Sequence, residues 1–371
     1  MTSVRIGVVG CGRIAQVMHL PFLDELPEFE LVALSDISPA VLDGVAQRYP
    51  RATPCVDYRE LVARDDVDAV AVCTPDHAAV AEEAARAGKH VFVEKPLCFT
   101  PEEGRSLAAA VETSGVRVMV GYMRRYDPAV RRLLDELPKL APLRLVRALD
   151  TLGLRSVPSE VYALVLPPEG APGRVSDRGA FADKLAAAVG TDDPRRTSLY
   201  WIMLMLAVHD LAVLRAILGA PAEITHVELL GPSHLIVAFR YGDGARATLE
   251  LGVWPEQTWS DTTVDVIGDA ATASLTFPNP WIRYLPTTLM LRRAGDDGTT
   301  VALPPPSYRY AFREEWLEFH AAIVDRREPL TSVLDGLADV ELCVAIVNAI
   351  PAERLDSVGA APRVDTEKSR G

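Results

Sequence analysis

Two side chains that can transfer a proton, Lys95 and His209, each occur in an apolar stretch. Lys95 follows the strand-like run HVFVE, and the proline after it disfavours helical backbone at the lysine. His209 lies in LMLAVHDLAVL, an apolar helical pattern. A neutral imidazole can accept a hydroxyl proton and an ammonium group can return it, which is the chemistry that interconverts an alcohol and a carbonyl. Most strand-end lysines are solvated and most histidines in apolar helices are core residues, so these patterns alone leave both interpretations open.

A glycine-rich turn near the beginning of the sequence predicts a nucleotide site. The run VRIGVVGCGRIAQVMHLPFL reads as an apolar strand, a turn and a helix, and Gly10, Gly12 and Ala15 have the spacing GxGxxA. The first glycine makes the tight turn, the second lets a pyrophosphate approach the backbone, and the small third residue allows close packing. We therefore expect the turn, including Arg13 and Ile14, to bind a dinucleotide. The alternative is a tight strand-to-helix turn without a ligand.

The next predicted strand ends at an acidic residue whose charge bears on the choice between NAD and NADP. FELVALSD ends at Asp36, about 20 residues beyond the turn. A carboxylate there accepts hydrogen bonds from a ribose 2′-hydroxyl and repels a 2′-phosphate. The three residues that follow it, ISP, bring no positive charge. The sequence predicts NAD in preference to NADP.

Further strand and helix patterns complete a nucleotide-binding half. The apolar runs VDAVAVCTP, HVFVEKP and VRVMVGY alternate with amphipathic helical patterns. This alternation is typical of a parallel sheet that helices cover on both faces. Thr74 and Pro75 end one of these strands, and the carboxyl ends of the strands form the ligand edge of such sheets.

The motifs GCGRIA, CTPDH, AGKHVFVEKPL and VGYMRRYDP, in this order and spacing, give the chain a family resemblance. It resembles the glucose–fructose oxidoreductase, inositol dehydrogenase and rhizopine catabolism (Gfo/Idh/MocA) family, and Glu94-Lys95-Pro96 is the most specific marker. The resemblance covers the first 135 residues, resumes at VHDLAVLRAILG and YAFREEWLEFHAAI, and is thin between about 155 and 200. It implies an α/β fold: a Rossmann doubly wound parallel sheet, then an α/β domain on a large, mainly antiparallel sheet. It also implies hydride transfer between a nicotinamide and a sugar, a cyclitol or a related alcohol or ketone.

The resemblance assigns roles to individual residues. Lys95 and His209 are the expected proton-transfer groups. The expected cofactor contacts are Gly10, Gly12, Arg13, Ile14, Ala15, Asp36, Thr74, Pro75, His77, Glu94, Lys95 and Arg124. The expected substrate contacts are Lys95, Arg124, Tyr126, Met205 and His209. For Arg124 an ion-pairing role at the domain joint remains an equal alternative.

Met205 departs from the family pattern. The resemblance places an aspartate one helical turn before the histidine, where this chain has Met205. Asp210 cannot replace it, because consecutive helical residues point about 100° apart. One hypothesis is that Lys95 and His209 suffice and Met205 forms an apolar wall for a less hydroxylated substrate. The competing hypothesis is a nucleotide-binding regulatory or structural protein, and a related one is transient oxidation that leads to epimerisation or glycoside cleavage.

The second half of the chain predicts an antiparallel sheet. Short alternating segments such as HLIVAFRYG and ARATLELGVW flank the hairpin signal GDG. We expect a Rossmann domain at residues 1–123, a substrate-binding and oligomerisation domain at 124–352, and a polar tail at 353–371. One face of such a sheet is free for a cleft or a second subunit. The resemblance implies a homodimer or homotetramer.

Two further segments carry distinct expectations. The insertion at 153–200 is rich in proline around one helical pattern, with Phe181, Leu185 and Val189 at helical spacing. It is expected to be either a surface insertion or a lid over the substrate. In YAFREEWLEFHAAI the large apolar residues lie at helical spacing and indicate a core helix: Phe312, Trp316, Phe319 and Ile323.

Composition sets outer limits on the function. A length of 371 residues suits two domains, and a formal net charge of −13 argues against nucleic-acid or anionic-membrane partners. A small polar ligand fits better. The five cysteines include no CxxC pair and no zinc-like spacing. We therefore expect reduced thiols, no metal and, because no targeting or membrane-spanning pattern stands out, a cytoplasmic protein.

Overall fold

The computed structural model describes residues 3–154, 161–168 and 181–356. The chain divides into two compact units, neither of which is one continuous stretch. Unit one comprises Met1–Tyr122, Glu160–Lys184 and Phe312–Glu341. Unit two comprises Met123–Ser159, Leu185–Ala311 and Leu342–Gly371.

Unit one contains the expected parallel sheet. Its six strands have the order β3-β2-β1-β4-β5-β6, and every pair is parallel. The order reverses between β1 and β4, and such a reversal opens a crevice at the carboxyl edge of the sheet. The strands are β1 Val4–Val9, β2 Phe29–Ser35, β3 Thr53–Cys55, β4 Ala69–Val72, β5 His90–Glu94 and β6 Val118–Gly121.

Helices follow the strands of unit one, as the sequence predicts. A π-helical turn, Ala15–His19, leads into the first helix. The helices are α1 Leu20–Glu25, α2 Pro39–Ala46, α3 Tyr58–Val62, α4 Ala78–Arg86 and α5 Pro101–Ser114. Thr100 and Glu103 form a reciprocal capping box at the start of α5, and Gly115, with φ 70°, ends it.

Unit two is built on an eight-stranded sheet of order β14-β13-β12-β11-β7-β10-β9-β8. Only β7 and β10 pair in parallel, so the sheet is mainly antiparallel as expected. The predicted GDG hairpin is present, with Gly244 at φ 91°. The strands are β7 Leu143–Gly153, β8 Glu223–Gly231, β9 His234–Arg240, β10 Arg246–Trp254, β11 Asp261–Gly268, β12 Ala271–Phe277, β13 Thr288–Gly295 and β14 Gly298–Ala302.

A long helical run dominates the helices of unit two. It extends over Pro194–Leu218 and is apolar and long enough to cross a membrane, but 61% of its most apolar window is buried inside the protein, as in a core helix. A π-helical turn, Met203–Ala207, interrupts it. The helices are α6 Pro128–Leu140, α7 Ala182–Val189, α8 Pro194–Ile202 and α9 Val208–Leu218.

The helices near the end of the chain alter the expected domain boundaries. They are α10 Ala311–Val324, α11 Val333–Asn348 and α12 Ala352–Asp356. Trp316 and Phe319 are fully buried, and the Trp316 ring lies 4.2 Å from the Phe92 ring of β5. This packing joins residues 312–341 to unit one, although the sequence placed them in the second domain. Phe312 is also buried, Ile323 is half-buried, and the tail beyond residue 356 lies outside the described residues.

Candidate functional site

The turn after β1 has the backbone geometry that a phosphate-binding loop needs. Gly10 has φ +93°, and a Cβ there would lie 2.7 Å from backbone atoms of Cys73 and Thr74. Both strain and collision therefore exclude a side chain at this position. A Cβ on Gly12 would meet nothing within 4 Å, so that side of the turn is open to a ligand. Ala15 is fully buried where the helix begins, and these features fit a dinucleotide pyrophosphate.

Asp36 ties the end of β2 to this turn. Its Oδ2 accepts a hydrogen bond from the Cys11 amide at 2.8 Å, and its Oδ1 accepts one from the Ser38 amide at 2.8 Å. The side chain is half-buried, and each carboxylate oxygen retains a further lone pair for a ribose hydroxyl. Ile37, the next residue, is 65% exposed and brings no charge. Asp36 therefore lies beside the glycine-rich turn, and its contact with the ribose stays a prediction.

Lys95 is held at the carboxyl end of β5 by its neighbour. Glu94 is 5% exposed, and its Oε2 accepts the backbone amide of Lys95 at 2.9 Å. Its Oε1 lies 2.8 Å from Nε2 of His19, a fully buried ring. Burial alone would raise the pKa of Glu94, but the His19 hydrogen bond and the nearby His19 and Lys95 charges lower it below its ordinary value. The carboxylate predicted to contact the cofactor therefore positions Lys95.

His19 is a residue that the sequence analysis missed. It lies at the end of the π-helical turn, among the aromatic rings of Phe92, Phe312 and Trp316. A polar side chain at an otherwise apolar helical position, MHLPFL, was the available signal, because a buried imidazole requires a hydrogen-bond partner. The sequence offered no way to identify Glu94 as that partner, 75 positions away.

His77, Thr74 and Pro75 lie at the end of the neighbouring strand, β4. His77 is 5% exposed, and burial lowers its pKa to about 4, with the Lys95 charge contributing. At neutral pH it is an uncharged group beneath the edge. The Thr74 hydroxyl donates to the Asp76 carbonyl at 2.8 Å, and Pro75 is exposed. At this edge of unit one, Lys95 therefore lies near the Glu94 carboxylate and an uncharged His77.

Met205 and His209 share one strip of the long helical run in unit two. Both are half-buried, whereas Leu204, Val208 and Asp210 are fully buried. Residues four apart lie on the same side of a helix, and π-helical turns frequently occur at functional sites. Asp210 points into the interior, which agrees with the expectation that it cannot stand in for the missing aspartate.

Arg124 lies in a buried charge cluster within unit two. Its Nη1 donates to Asp210 Oδ1 at 2.6 Å and its Nη2 donates to Asp150 Oδ2 at 2.8 Å. The Thr262 hydroxyl donates to Asp150 Oδ1 at 3.1 Å, and the Phe277 ring centroid is 5.1 Å from the guanidinium carbon. Burial, opposed by Arg124 and reinforced by Asp150, raises the pKa of Asp210 well above its ordinary value. Only 6% of Arg124 is exposed, which supports an ion-pairing role for this residue. Its contacts with the cofactor and the substrate stay predictions.

The predicted site residues form two groups, one in each unit. The turn after β1, Asp36, Thr74, Pro75 and the Glu94-Lys95 pair all lie at the carboxyl edge of the sheet in unit one. Met205 and His209 share a helical strip in unit two, and Tyr126 is buried in the short helical turn that contains Arg124. The meeting of Lys95 with His209 stays a prediction, because the two residues belong to different units.

Comparison with known proteins decides the family of unit one. Residues 4–122 match the model GFO_IDH_MocA, the oxidoreductase family with an NAD-binding Rossmann fold. Residues 4–122 belong to the Gfo/Idh/MocA family. The resemblance inferred from the motifs is thereby confirmed. The inositol 2-dehydrogenase of Rhizobium meliloti (strain 1021) is 38% identical over 139 residues, which are 36% of this chain and 41% of that protein. The match to this curated relative thus spans less than half of its length.

Solved structures resemble the chain over nearly its whole length. An oxidoreductase from Desulfitobacterium hafniense DCB-2 superposes with a TM-score of 0.77 at 18% identity, over 96% of this chain and 99% of that one. KijD10, a 3-ketoreductase from Actinomadura kijaniata crystallised with NADP and TDP-benzene, superposes with a TM-score of 0.70 at 22% identity, over 93% and 97% of the two chains. These similarities establish the two-sheet fold of the chain.

Proposed function

We propose that the protein is a nicotinamide-dependent oxidoreductase that interconverts an alcohol and a ketone on a sugar, a cyclitol or a sugar-like secondary metabolite. The observation that carries the proposal is the placement of Lys95 by Glu94 at the same sheet edge as the Gly10 turn and Asp36. The nicotinamide, when bound, accepts or supplies the hydride. The protein binds the dinucleotide, orients the hydroxyl-bearing carbon and moves the proton.

Lys95 and His209 are the proposed proton-transfer groups. In the direction of reduction, the Lys95 ammonium donates a proton to the oxygen as the carbon gains hydride, and a protonated His209 replaces the proton on Lys95. Oxidation reverses both steps: Lys95 takes the hydroxyl proton as the hydride leaves the same carbon, and the neutral His209 imidazole accepts that proton from Lys95. Met205 supplies an apolar wall beside His209, which favours a substrate with fewer hydroxyl groups on that side.

The names of similar proteins support this substrate class. They include an inositol 2-dehydrogenase and a 3-ketoreductase whose structure contains a TDP-linked molecule. A nicotinamide absorbance assay over a panel of sugars, cyclitols and nucleotide-linked ketosugars tests the proposal. The second candidate is a nucleotide-binding regulatory protein, because Met205 replaces the aspartate of the family pattern. If no member of the panel exchanged hydride with the nicotinamide, this second candidate would be favoured. Product epimerised or cleaved without net change in nicotinamide would favour transient oxidation.

A homodimer or homotetramer is part of the proposal. Apolar side chains on one face of the unit-two sheet are half-exposed, including Leu145, Leu149, Ile236 and Ile267. A second copy of the chain covering them supports the oligomeric state implied by the family. All five cysteines are free and buried, which supports a reducing compartment such as the cytoplasm.

Asp36 should give the protein a preference for NAD(H) over NADP(H). Its carboxylate accepts a ribose 2′-hydroxyl and repels a 2′-phosphate, and Ile37 beside it offers no compensating cation. Titration of both reduced cofactors should show tighter binding of NADH than of NADPH. Asp36→Ala should reduce the ratio of the two dissociation constants by about tenfold or more. Equal or reversed affinities in the native protein would show that the dinucleotide is selected elsewhere.

Met205→Asp should restore the family arrangement and change the pH profile. A carboxylate one turn before His209 stabilises the imidazolium and raises the pKa of the histidine. The rising limb of kcat/KM for oxidation, which needs neutral imidazole, should then move to higher pH, and preference should shift toward more hydroxylated substrates.

Leu218→Asp is the matched control for this prediction. Leu218 is also half-buried on the same helical run but lies about 14 Å along the helix axis beyond His209. It should leave the pH profile unchanged. If the Met205→Asp protein folded and kept the native pH profile, Met205 and His209 would not share a catalytic site.

A further inference from the structure

Helix α10 contributes a carboxyl group to the interior of unit one. Glu315 is fully buried, and among the described residues neither of its side-chain oxygens has a hydrogen-bond partner. Burial and the negative charge of Glu94 both raise the pKa of Glu315 well above its ordinary value. At neutral pH, Glu315 is therefore an uncharged acid in the same interior as the ionised Glu94.

Glu94 is ionised in this interior because its carboxylate accepts two hydrogen bonds. Its Oε1 lies 2.8 Å from Nε2 of His19, and its Oε2 accepts the Lys95 amide at 2.9 Å. An ionised carboxylate can only accept, so Nε2 of His19 carries the proton of the first bond. Hydrogen bonds to the charged form keep a buried carboxyl ionised, whereas burial without them favours the neutral acid. The contrast with Glu315 shows how much the charge of Glu94 depends on its donors.

Packing fixes the His19 ring in its orientation toward Glu94. The ring is fully buried and lies edge-on to three aromatic rings, with centroid distances of 5.3, 5.7 and 5.6 Å to Phe92, Phe312 and Trp316. A ring turned away from Glu94 would leave its Nε2 proton buried without an acceptor, which is costly. His19 therefore donates to Glu94 in a single, well-defined geometry.

Several titratable groups near Glu94 bring no charge of their own. The groups whose electrostatic interactions link them to Glu94 are His19, Lys95, His77, Cys73 and Glu315. Burial lowers the pKa of His77 to about 4 and raises that of Cys73 well above its ordinary value, so both are uncharged at neutral pH. An anion beside an ammonium group favours the charged form of the ammonium. The charge on Glu94 therefore favours the ammonium form of Lys95.

We propose that His19 is a positioning residue for the reaction: its hydrogen bond holds the negative charge on Glu94, and this charge keeps Lys95 in the ammonium form that donates the proton. The inference rests on the role of Lys95 in the proposed function. The helical turn that begins at the glycine-rich loop thereby also controls the proton donor at the end of β5. An apolar residue in place of His19 would leave Glu94 neutral, and Lys95 would then lose its proton at a lower pH.

The titration of Lys95 tests the proposal without any substrate. The chain has five lysines, so the Cε signals of isotope-labelled lysine can be resolved by NMR, and the signal missing from Lys95→Ala is that of Lys95. In His19→Met and in Glu94→Gln, Lys95 should lose its proton at a lower pH than in the native protein. In His19→Gln, whose amide retains a donor near the position of Nε2, Lys95 should titrate near the native pH.

His320→Met is the matched control for the histidine variants. His320 lies on α10, and its ring centroid is 5.7 Å from that of Phe29, the first residue of β2 and therefore at the amino end of the sheet. This variant should keep the native Lys95 titration.

Two results with the His19 variants would overturn the proposal. One is a native Lys95 titration in His19→Met. The other is a shift in His19→Gln as large as that in His19→Met, because His19 would then act through packing alone. If His19→Met does not fold, Glu94→Gln decides: a shift to lower pH supports the proposal and a native titration overturns it.

Turnover provides a second readout. On a substrate that the native protein reduces, His19→Met should lower kcat by about ten- to a hundredfold, as expected for a displaced catalytic group. The loss should be largest at alkaline pH, where a neutral Lys95 has no proton to donate, and an equal loss at every pH would overturn the proposal. A native protein that shows the expected Lys95 titrations but reduces no member of the substrate panel would instead overturn the proposed function.

Discussion

Lys95→Ala should lower kcat by about two to four powers of ten on any substrate that the native protein turns over. The ammonium is the positioned proton donor in reduction, and loss of a general acid costs a factor of this size. Dinucleotide affinity should change little, because the glycine-rich turn and Asp36 are untouched. Steady-state kinetics with nicotinamide absorbance measures the first quantity and fluorescence titration of NADH measures the second.

Lys139→Ala is the control for this substitution. Lys139 is 58% exposed and pairs with Glu136 on α6, so its removal deletes a lysine without touching the sheet edge. Turnover should stay at the native level. A Lys95→Ala protein that retains full turnover would contradict the proposed proton transfer. A loss of NADH binding together with turnover would place Lys95 in cofactor binding alone.

The sequence predicted those parts of the site that local patterns encode. Apolar strands alternating with helical patterns predicted the parallel sheet. Each predicted residue of unit one ends or follows a strand, so all of them lie near the same edge. Gly10 is the clearest case, since its φ of +93° and the nearby Cys73 backbone make the turn intolerant of any side chain. The antiparallel sheet of unit two followed from alternation in the same way.

Contacts between distant positions could not be predicted. Periodicity shows which residues are buried, yet it does not show which partner a buried polar group finds. The sequence assigned Glu94 to the cofactor, which stays a prediction, and did not show that His19 and the Lys95 amide contact its carboxylate. Likewise, the aromatic residues of α10 fixed its buried face without revealing that this face packs on β5 of unit one.

The sequence also could not show the partners of Arg124, and substitution of this residue should have a large effect on stability. Arg124→Met should lower the free energy of unfolding by about 3–5 kcal/mol, because it leaves Asp150 and Asp210 buried without their cation. Denaturant unfolding measures the loss. Arg147→Met is the matched control, since the Arg147 and Asp265 pair is 57% and 32% exposed and its removal should cost less than about 1 kcal/mol.

The pH dependence of Arg124→Met separates loss of an ion pair from loss of packing. The pKa of Asp210 is already raised by burial, so the folded state holds this proton more tightly than the unfolded state. A group with a raised pKa contributes its whole stabilisation at pH values below the ordinary carboxyl pKa. This stabilisation is lost as the pH rises through the pKa of the group in the folded state. Removing Arg124 raises the folded-state pKa of Asp210 further. The free energy of unfolding that Arg124→Met loses relative to the native protein should therefore be larger at pH about 7 than at pH about 4. A deficit equal at both pH values would indicate lost packing against Phe277. Native stability with weakened NADH binding would instead return Arg124 to the cofactor site.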